Sequence, residues 1–268
     1  MIPFYKYQGA GNDFVMIDNR TTTYLTRTSN AAIHHLCDRR FGIGADGLIL
    51  LQNHPDYDFE MVYFNANGTE GSLCGNGGRC TVAFAKQLGI IDEECIFWAI
   101  DGEHRASINR VDNWVELKMA DLHTVHCHPD HYELNTGSPH YIKYVDNLAK
   151  MDVFREGSLI RNNDTYKEKG INVNFIEPAD NGFQIRTFER GVEAETLACG
   201  TGVTAAAISY ALEYPNKATT LLQQGGISAK AAGGNLSVRF QQRGSSFEDI
   251  WLCGPAEFVF SGHITLSY

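Results

Sequence analysis

Two short stretches of this sequence share one pattern, and that pattern decides the fold. Cys74–Gly77 reads Cys-Gly-Asn-Gly, and Cys199–Gly202 reads Cys-Gly-Thr-Gly. An apolar strand pattern, Phe59–Phe64 or Phe183–Phe188, leads into each stretch, and a helical run follows each one. The sequence therefore predicts the same succession of strand, glycine-rich turn and helix twice in one chain.

The repeated pattern extends upstream of both cysteines. Glu70 and Glu195 each lie four residues before a cysteine. Further anchors recur in the same order and at nearly equal distances from their cysteine: Gly11-Asn12 matches Gly137-Ser138, and Gly44–Asp46 matches Gly170–Asn172. Ordered anchors at matching spacing indicate an internal duplication, so we predict two halves with one topology.

Strand patterns dominate both halves, and one clear helix follows each repeated cysteine. The strand patterns outside the repeat are Phe14–Ile17, Leu48–Leu51, Trp114–Met119, Asn172–Ile176 and Leu236–Phe240. A shorter helical pattern at Asn30–Arg39 has no strong counterpart in the second half.

We therefore predict an α+β fold of two pseudo-symmetric domains, each a curved, mainly antiparallel sheet wrapped around a central helix. The first domain is predicted over residues 1–118 together with 257–268, and it carries Cys74. The second is predicted over residues 119–256, and it carries Cys199. We expect the chemistry in the cleft between the two domains, because ligand sites favour such interfaces.

The composition is that of an ordinary globular protein, and it argues against several classes of function. The net charge of −10 disfavours a nucleic-acid-binding protein, which needs a basic surface. No apolar run reaches the length of a membrane span, and no export signal opens the chain. We therefore expect a cytoplasmic protein with seven reduced cysteines and a small-molecule partner, and the sequence leaves a homodimer open.

The position of the two repeated cysteines suggests their chemistry. The first amides of a helix have no acceptor within the helix and carry partial positive charge, so they stabilise a thiolate and can bind a carboxylate. Inversion at an amino-acid α-carbon needs a base on one face and an acid on the other, and a thiolate and a thiol fill those roles. We therefore predict that Cys74 and Cys199 exchange the proton of a substrate α-carbon. The alternative is that both are buried packing residues.

Several motifs together make this sequence resemble the diaminopimelate epimerase family. They are Gly9–Phe14, Arg40–Gly47, Phe64–Gly68, Cys74–Cys80, Glu189–Gly191, Cys199–Gly202 and Gly254–Glu257. Because they follow the family's order from residue 9 to beyond residue 250, the resemblance covers essentially the whole chain. It implies the family's two-domain fold and a pyridoxal-phosphate-independent enzyme, with no cofactor, that interconverts LL- and meso-diaminopimelate for lysine and peptidoglycan synthesis.

The resemblance also implies roles for individual residues. It makes Cys74 and Cys199 the two catalytic bases, with His140 and Glu189 as catalytic residues that adjust the protonation of the thiols. The side chains implied to hold the distal end of the substrate are Asn12, Asn65, Asn172, Glu189 and Arg190. The backbone amides implied to bind the reacting carboxylate are those of Gly75, Asn76, Gly200 and Thr201. The planar fork of Arg190 suits the distal carboxylate.

Three departures from the family pattern concern the residues implied to bind the distal end of the substrate. Ser138 stands where the family usually has asparagine, and Gly47 stands where some members carry glutamine. The stretch from Glu189 to Cys199 is one residue longer than the usual form. These differences bear on substrate identity and leave the two-cysteine chemistry untouched.

Two other motifs have simpler interpretations. Gly42–Gly47 spells a dinucleotide fingerprint, but it precedes the strand pattern Leu48–Leu51 instead of opening a helix, so we predict no nucleotide site. A histidine-rich stretch with ligands for a transition metal contains His123, His126, Cys127, His128 and His131. We interpret it as a polar linker into the second half and predict no metal site.

Four alternative functions follow from the same residues. A proline or hydroxyproline racemase also uses two cysteines, and a catalytically silent paralogue would bind an amino acid without turning it over. An isomerase of the phenazine-biosynthesis type resembles the fold but lacks the cysteine pair. A hydrolase built from Cys74 and His140 would leave the second cysteine element without a role.

Overall fold

The computed structural model describes residues 1–71, 74–111 and 113–266. The last two residues of the predicted first domain, 267 and 268, lie outside this range. The chain divides into two compact units: unit 1 is Met1–Leu117 with Gly254–Tyr268, and unit 2 is Lys118–Cys253.

The strands carry most of the regular structure. In chain order they are β1 (Ile2–Gly9), β2 (Asn12–Asp18), β3 (Gly47–Gln52), β4 (Phe59–Asn65), β5 (Glu94–Ala99), β6 (Gly102–Ile108), β7 (Trp114–Lys118), β8 (Val125–Cys127), β9 (Tyr132–Asn135), β10 (Pro139–Tyr144), β11 (Asn172–Ala179), β12 (Gly182–Glu189), β13 (Ala194–Thr196), β14 (Ile227–Ala231), β15 (Gly234–Arg243), β16 (Ser246–Pro255) and β17 (Glu257–Ile264).

The helices are few. They are α1 (Asn30–Cys37), α2 (Gly75–Gln87), α3 (Val153–Arg161), α4 (Gly200–Glu213) and α5 (Pro215–Gln223), with a 3₁₀ turn at Leu148–Lys150. Among the described residues, none of these helices has the length and apolar character needed to cross a membrane.

Unit 1 is built on a mainly antiparallel sheet with the strand order β17-β1-β2-β3-β4-β5-β6-β7. The two parallel pairings, β2 with β3 and β4 with β5, are joined by chain segments that contain α1 and α2. A helical crossover of this kind is what a parallel pairing requires.

Unit 2 repeats this order as β8-β9-β10-β11-β12-β14-β15-β16. Its parallel pairings, β10 with β11 and β12 with β14, enclose α3 and α4 at the same places in the chain. The predicted α+β fold of two halves with one topology is therefore confirmed.

Each unit surrounds one central helix. In α2 every residue from Gly75 to Ala85 is buried, and in α4 Gly200 and every residue from Gly202 to Ala211 are buried. A helix that is buried on all sides needs small residues where it meets the sheet, which explains the glycine-rich and alanine-rich sequences of α2 and α4.

The repeated glutamates have a structural role in both units. Glu70 bridges to Phe64 in the backbone and forms an ion pair with Arg27, which also binds Glu60. Glu195 pairs with Phe188 and forms a bidentate ion pair with Arg186 at 2.6 and 2.7 Å. Both glutamates therefore fasten the segment that carries the chain from the strand to the following cysteine.

The structure corrects one detail of the sequence interpretation. The helical stretch at Asn30–Arg39 does have a counterpart, because α3 lies between β10 and β11 as α1 lies between β2 and β3. The pattern was misleading because α3 exposes Phe154 and Leu159 and buries only Val153 and Gly157. After α4 ends at Glu213, Pro215 begins the further helix α5, since proline is favoured at the first helical position.

Candidate active site

Cys74 and Cys199 occupy the same position in their units, the N-cap of a central helix. Both have extended backbone, with φ and ψ of −96° and 120° at Cys74 and −114° and 109° at Cys199. The first helical hydrogen bond runs from the amide of Gly78 to the Cys74 carbonyl at 2.7 Å, and from Val203 to Cys199 at 2.9 Å. Each thiol therefore lies beside the first-turn amides, where a helix supplies no acceptors of its own and attracts negative charge.

In unit 1 the Cys74 thiol is held by a chain of amide side chains. Arg79 is fully buried in α2 and donates to Asn76 Oδ1 at 3.0 Å. Asn76 Nδ2 then donates to Asn12 Oδ1 at 3.3 Å, and Asn12 Nδ2 donates to Asp46 at 2.8 Å. Because Arg79 can only donate and the Asp46 carboxylate can only accept, these contacts fix which end of each amide faces which neighbour.

This chain determines the direction of the hydrogen bond at Cys74. The Cys74 sulfur lies 3.5 Å from Asn12 Oδ1, and that amide oxygen can only accept. Cys74 therefore donates its S–H to Asn12, a contact that a thiol can make and a thiolate cannot.

A cluster of charges stands behind Asn12. Arg39 binds both Asp46 and Asp13, and Lys6 forms an ion pair with Asp13 at 2.8 Å. Although burial alone would raise the pKa of Asp13, hydrogen bonds from Arg39 and Lys6 hold that pKa well below its usual range. Asp13 consequently stays ionised, and the ion pair with Arg39 holds Asp46 in place to accept from Asn12.

In unit 2 a buried network of a different kind leads to Cys199. Asn174 Nδ2 donates to the Tyr141 carbonyl at 3.1 Å and lies 3.1 Å from His140 Nδ1. Asn174 Oδ1 accepts from the Thr187 hydroxyl at 2.9 Å. Since the Tyr141 carbonyl can only accept, Asn174 turns its NH₂ toward the ring, and His140 Nδ1 must be an acceptor.

The tautomer of His140 then directs the next two contacts. With Nδ1 accepting, the proton of the neutral ring lies on Nε2, which is 2.9 Å from Thr201 Oγ1. Thr201 Oγ1 accepts the hydrogen bond from His140 Nε2. The hydrogen of the Thr201 hydroxyl is therefore directed to the Cys199 sulfur, which lies 3.5 Å away. The network therefore presents a hydrogen-bond donor to Cys199, which favours a thiolate there.

His140 is kept neutral by its surroundings. Its side chain is fully buried, and this burial, together with the nearby charge of Arg190, lowers the pKa of His140 to about 3. A ring that is neutral at physiological pH and already protonated on Nε2 cannot take a proton from Thr201. Within this network His140 orients the Thr201 hydroxyl.

Glu189 and Arg190 follow one another at the end of β12. Thr196 donates to the Glu189 carboxylate at 2.9 Å. The backbone amide of Arg190 donates to Asn172 Oδ1 at 2.9 Å, and its guanidinium lies 3.3 Å from Ser138 Oγ. The structure therefore brings Arg190, Asn172 and Ser138 together at one end of the sheet.

Asn172 and Ser138 are joined directly. Asn172 is buried and donates to Ser138 Oγ at 2.9 Å and to the Pro139 carbonyl at 3.2 Å. Its amide is therefore largely occupied by contacts within the protein. Ser138, the residue that departs from the family pattern, connects the two.

Gly47 and Asn65 share a neighbour in Tyr63. The Tyr63 hydroxyl donates to Asn65 Oδ1 at 3.2 Å. A Cβ atom at Gly47 would lie 2.6 Å from both the Phe64 carbonyl oxygen and the Tyr63 ring. The ring therefore fills the space that a larger side chain at position 47 would need, and its hydroxyl reaches the same region.

The remaining cysteines are mainly packing residues. Cys37, Cys80, Cys95 and Cys253 are buried, and Cys127 is exposed. Burial raises the pKa of Cys37 and of Cys95 to about 12 and raises that of Cys80 further, so these thiols stay protonated. Gly42–Gly47 leads into β3 instead of a helix, as the sequence context predicted.

Several residues that hold the thiols were not predicted from the sequence. They are Asp46, Arg79, Asn174, Thr187 and Thr196. Two of them had a visible signal, because Arg79 lies among small and apolar residues of α2 and Asn174 lies between the apolar residues Val173 and Phe175 of β11. Buried polar groups of this kind require partners and therefore mark a network.

The similarity of this chain to known proteins extends over nearly its whole length. The family model described as diaminopimelate epimerase matches residues 4–125 and 132–259. A diaminopimelate epimerase of Flavobacterium psychrophilum is 51% identical over 257 residues, which cover 96% of this chain and 97% of the relative. One from Chlorobaculum tepidum is 43% identical over 271 residues, covering 96% of this chain and 99% of the relative.

Solved structures with much lower sequence identity share the fold. A phenazine biosynthesis protein of Bacillus anthracis superposes with a TM-score of 0.73 at 14% identity, over 99% of each chain. A probable proline racemase of Agrobacterium radiobacter superposes with a TM-score of 0.68 at 14% identity, over 100% of this chain and 94% of that one. These two likenesses concern the fold alone.

We predict unequal effects of alanine at two equivalent glycines. A Cβ at Gly202 would lie 2.4 Å from Asn174 Oδ1, which is locked in its network, whereas a Cβ at Gly77 would meet the flexible ends of Ile49 and Met61 at 3.1 and 3.3 Å. Gly202→Ala should therefore lower the free energy of unfolding by about 1–3 kcal/mol. Gly77→Ala, the matched control, should change it by less than about 1 kcal/mol, because helix propensity offsets the crowding. Urea unfolding measures both, and equal losses would contradict the assigned contact.

We also predict that His140 makes stability depend on pH. The unfolded ring titrates near 6.5 and the folded ring near 3, so its contribution is present above pH 6.5 and is lost as the pH falls toward 3. In urea unfolding, the stability difference between wild type and His140→Asn should be about 2 kcal/mol smaller at pH 5 than at pH 7. An unchanged difference would show that the folded ring titrates normally.

Proposed function

Because the chain belongs to the diaminopimelate epimerase family, we propose that it is an isomerase that interconverts LL- and meso-diaminopimelate without a cofactor. One observation carries the proposal: a cysteine stands at the N-cap of the central helix in both units. The likeness to racemase folds at 14% identity adds nothing that favours proline as the substrate.

The two thiols supply the base and the acid of an inversion. A thiolate removes the α-proton from one face of the substrate carbon, and a thiol delivers its own proton to the other face. After one turnover the two thiols have exchanged protonation states, so the same pair catalyses the reverse direction. This role requires one thiol at each face of the same substrate carbon.

The helix N-termini stabilise the charge that develops during proton removal. The α-proton of an amino acid is a very weak acid, and its loss places negative charge on the carboxylate as an enediolate forms. We propose that the amides of Gly75, Asn76, Gly200 and Thr201 bind this carboxylate. Backbone amides at a helix start suit an anion, and they need no reorganisation when charge develops.

The two networks support different protonation states for the thiols in the substrate-free enzyme. Cys74 donates to Asn12, as a thiol does, whereas Cys199 receives the Thr201 hydroxyl, as a thiolate does. We therefore propose that Cys199 is the base and Cys74 the acid at the start of a turnover. The complementary states of two otherwise equivalent cysteines are what a two-base reaction requires.

The distal end of the substrate carries a second ammonium and carboxylate. We propose that Arg190 binds this carboxylate and that Asn12, Asn65, Asn172 and Glu189 act with it in reading the distal end. The contacts of Asn172 with Ser138 and with the amide of Arg190 support a role in orienting those groups. The Tyr63 hydroxyl beside Asn65 offers a further polar contact.

The protein environment should suit this chemistry. We propose a cytoplasmic location, where both thiols stay reduced. A homodimer is compatible with the proposal but is not needed by the reaction, which uses two cysteines of one chain.

The function is tested by proton NMR of LL-diaminopimelate with reduced protein in D₂O and no added cofactor. The α-proton signal should disappear while the meso isomer appears, because solvent deuterium replaces the transferred proton. Cys74→Ser and Cys199→Ser should each abolish the inversion with the fold intact, since a serine hydroxyl is far less acidic. The matched control Cys253→Ser alters a buried cysteine that bears no proposed role and should keep activity.

Three outcomes would contradict this function or its mechanism. Exchange with proline and none with diaminopimelate would favour the racemase alternative. No exchange with either amino acid, although both thiols are reduced and accessible, would favour a silent binding protein. Full inversion by either serine variant would rule out the two-base mechanism.

The assigned protonation states predict different reactivities of the two thiols. With limiting iodoacetamide at pH 7, Cys199 should be alkylated faster than Cys74, because the thiolate is the nucleophile. Thr201→Val should slow the alkylation of Cys199 about tenfold or more, the worth of a hydrogen bond to a charged group. Thr201→Ser keeps the hydroxyl and should react like the wild type. Site-resolved mass spectrometry measures each rate, and faster alkylation of Cys74 would reverse the assignment.

A further inference from the structure

Four side chains with metal-binding atoms share one face of the hairpin formed by β8 and β9. His126 pairs with Glu133 across the two strands, and the amide of His128 donates to the His131 carbonyl at 2.9 Å. Cross-strand partners project to the same face of a sheet, and so do alternate residues of one strand. The register therefore explains why His126, His128, His131 and Glu133 gather on one side.

Three of these side chains lie at separations that suit a single ion. His131 Nε2 is 3.2 Å from Glu133 Oε1, and His128 Nε2 is 3.3 Å from the same oxygen. All three ligand atoms lie within 4.8 Å of one another. Atoms bound to one zinc ion at 2.0–2.2 Å stand about 3–3.5 Å apart, which matches these two nitrogen–oxygen separations.

Contrary to the linker interpretation of this histidine-rich stretch, we propose that His128, His131 and Glu133 form a binding site for a divalent transition-metal ion of the zinc class. Two imidazoles and one carboxylate match the ligand preference of zinc, cobalt and nickel, whereas magnesium and calcium prefer oxygen alone. The site does not depend on the proposed function, because none of its residues has a part in the epimerase chemistry.

The groups around the ligands prepare them for a metal. Asp130 lies 2.8 Å from His131 Nδ1, which fixes the proton on that nitrogen and leaves Nε2 to face the ion. This carboxylate–histidine–metal arrangement is the usual outer support of a zinc ligand. Tyr166 donates to the Glu133 carboxylate and so helps to hold this ligand in place.

One ring must turn before the ion can bind. The His128 and His131 rings stack with their centroids 4.2 Å apart and an interplanar angle of 5°. Because the nitrogen lone pairs lie in these nearly parallel planes, they do not converge on one point. His131 is also stacked on Tyr141 at 4.1 Å and is held in place. The His128 side chain is 40% exposed and is the ring that can rotate toward the ion.

The turn that carries two of the ligands lies outside the residues that match the family model. Residues 126–131, which include His128 and His131, lie between the two stretches that match the family model. The hairpin adjoins β10, where Leu134 pairs with His140. A bound ion would therefore stabilise the edge of unit 2 next to the strand that carries His140.

The site is tested with untagged, metal-stripped full-length protein titrated with Zn²⁺ by calorimetry. We expect one ion per chain with submicromolar affinity. His128→Ala, His131→Ala and Glu133→Gln should each weaken binding more than Asp130→Asn, for which we expect a loss of about tenfold. His123→Ala is the matched control, because it removes an exposed histidine of the same segment outside the site, and it should bind like the wild type.

Two further measurements distinguish this site from one that uses the neighbouring cysteine. X-ray absorption of the zinc-loaded protein should show only nitrogen and oxygen ligands near 2.0–2.2 Å and no sulfur near 2.3 Å. Cys127→Ser should leave the affinity unchanged. Loss of binding in Cys127→Ser, or wild-type binding in His128→Ala and Glu133→Gln, would overturn the proposal. Unchanged melting of the metal-free variants shows that they are folded.

Discussion

The structure depends on the burial of a helix N-terminus in the middle of each unit. A helix whose first turn is enclosed cannot leave its amides to water, so the protein must supply acceptors or a ligand that carries negative charge. A cysteine at the N-cap meets this requirement, because its thiol can ionise to an anion. The glycines after each cysteine, the small residues along each helix and the surrounding sheet all follow from enclosing that end.

The two units meet the same constraint with different side chains. In unit 1 a chain of amides anchored by Arg79 and Asp46 ends on an acceptor at Cys74. In unit 2 a chain anchored by the Tyr141 carbonyl passes through His140 and ends on a donor at Cys199. The duplicated fold thus gives Cys74 and Cys199 different chemical environments. A reaction with one acid and one base needs this difference.

The sequence alone was sufficient for the repeated architecture and for the proposed catalytic pair, because both depend on local patterns. Strand, turn and helix can be inferred from Phe59 to Leu88 without knowledge of the rest of the chain. The polar networks could not be inferred, because Asn174, His140 and Thr201 come together only when β10, β11 and α4 pack. The helix α3 was overlooked because two of its apolar side chains, Phe154 and Leu159, are exposed and obscure the face that buries Val153.

The close approach of Gly202 to Asn174 limits which substitutions these two positions tolerate. Any side chain at position 202 collides with an amide that is itself fixed by three partners, and shortening Asn174 first would release His140. Neither position can change before the other without loss, so the two form an epistatic pair separated by a fitness valley. The glycine at the start of α4 is thus constrained by a residue of β11 that is distant in the sequence.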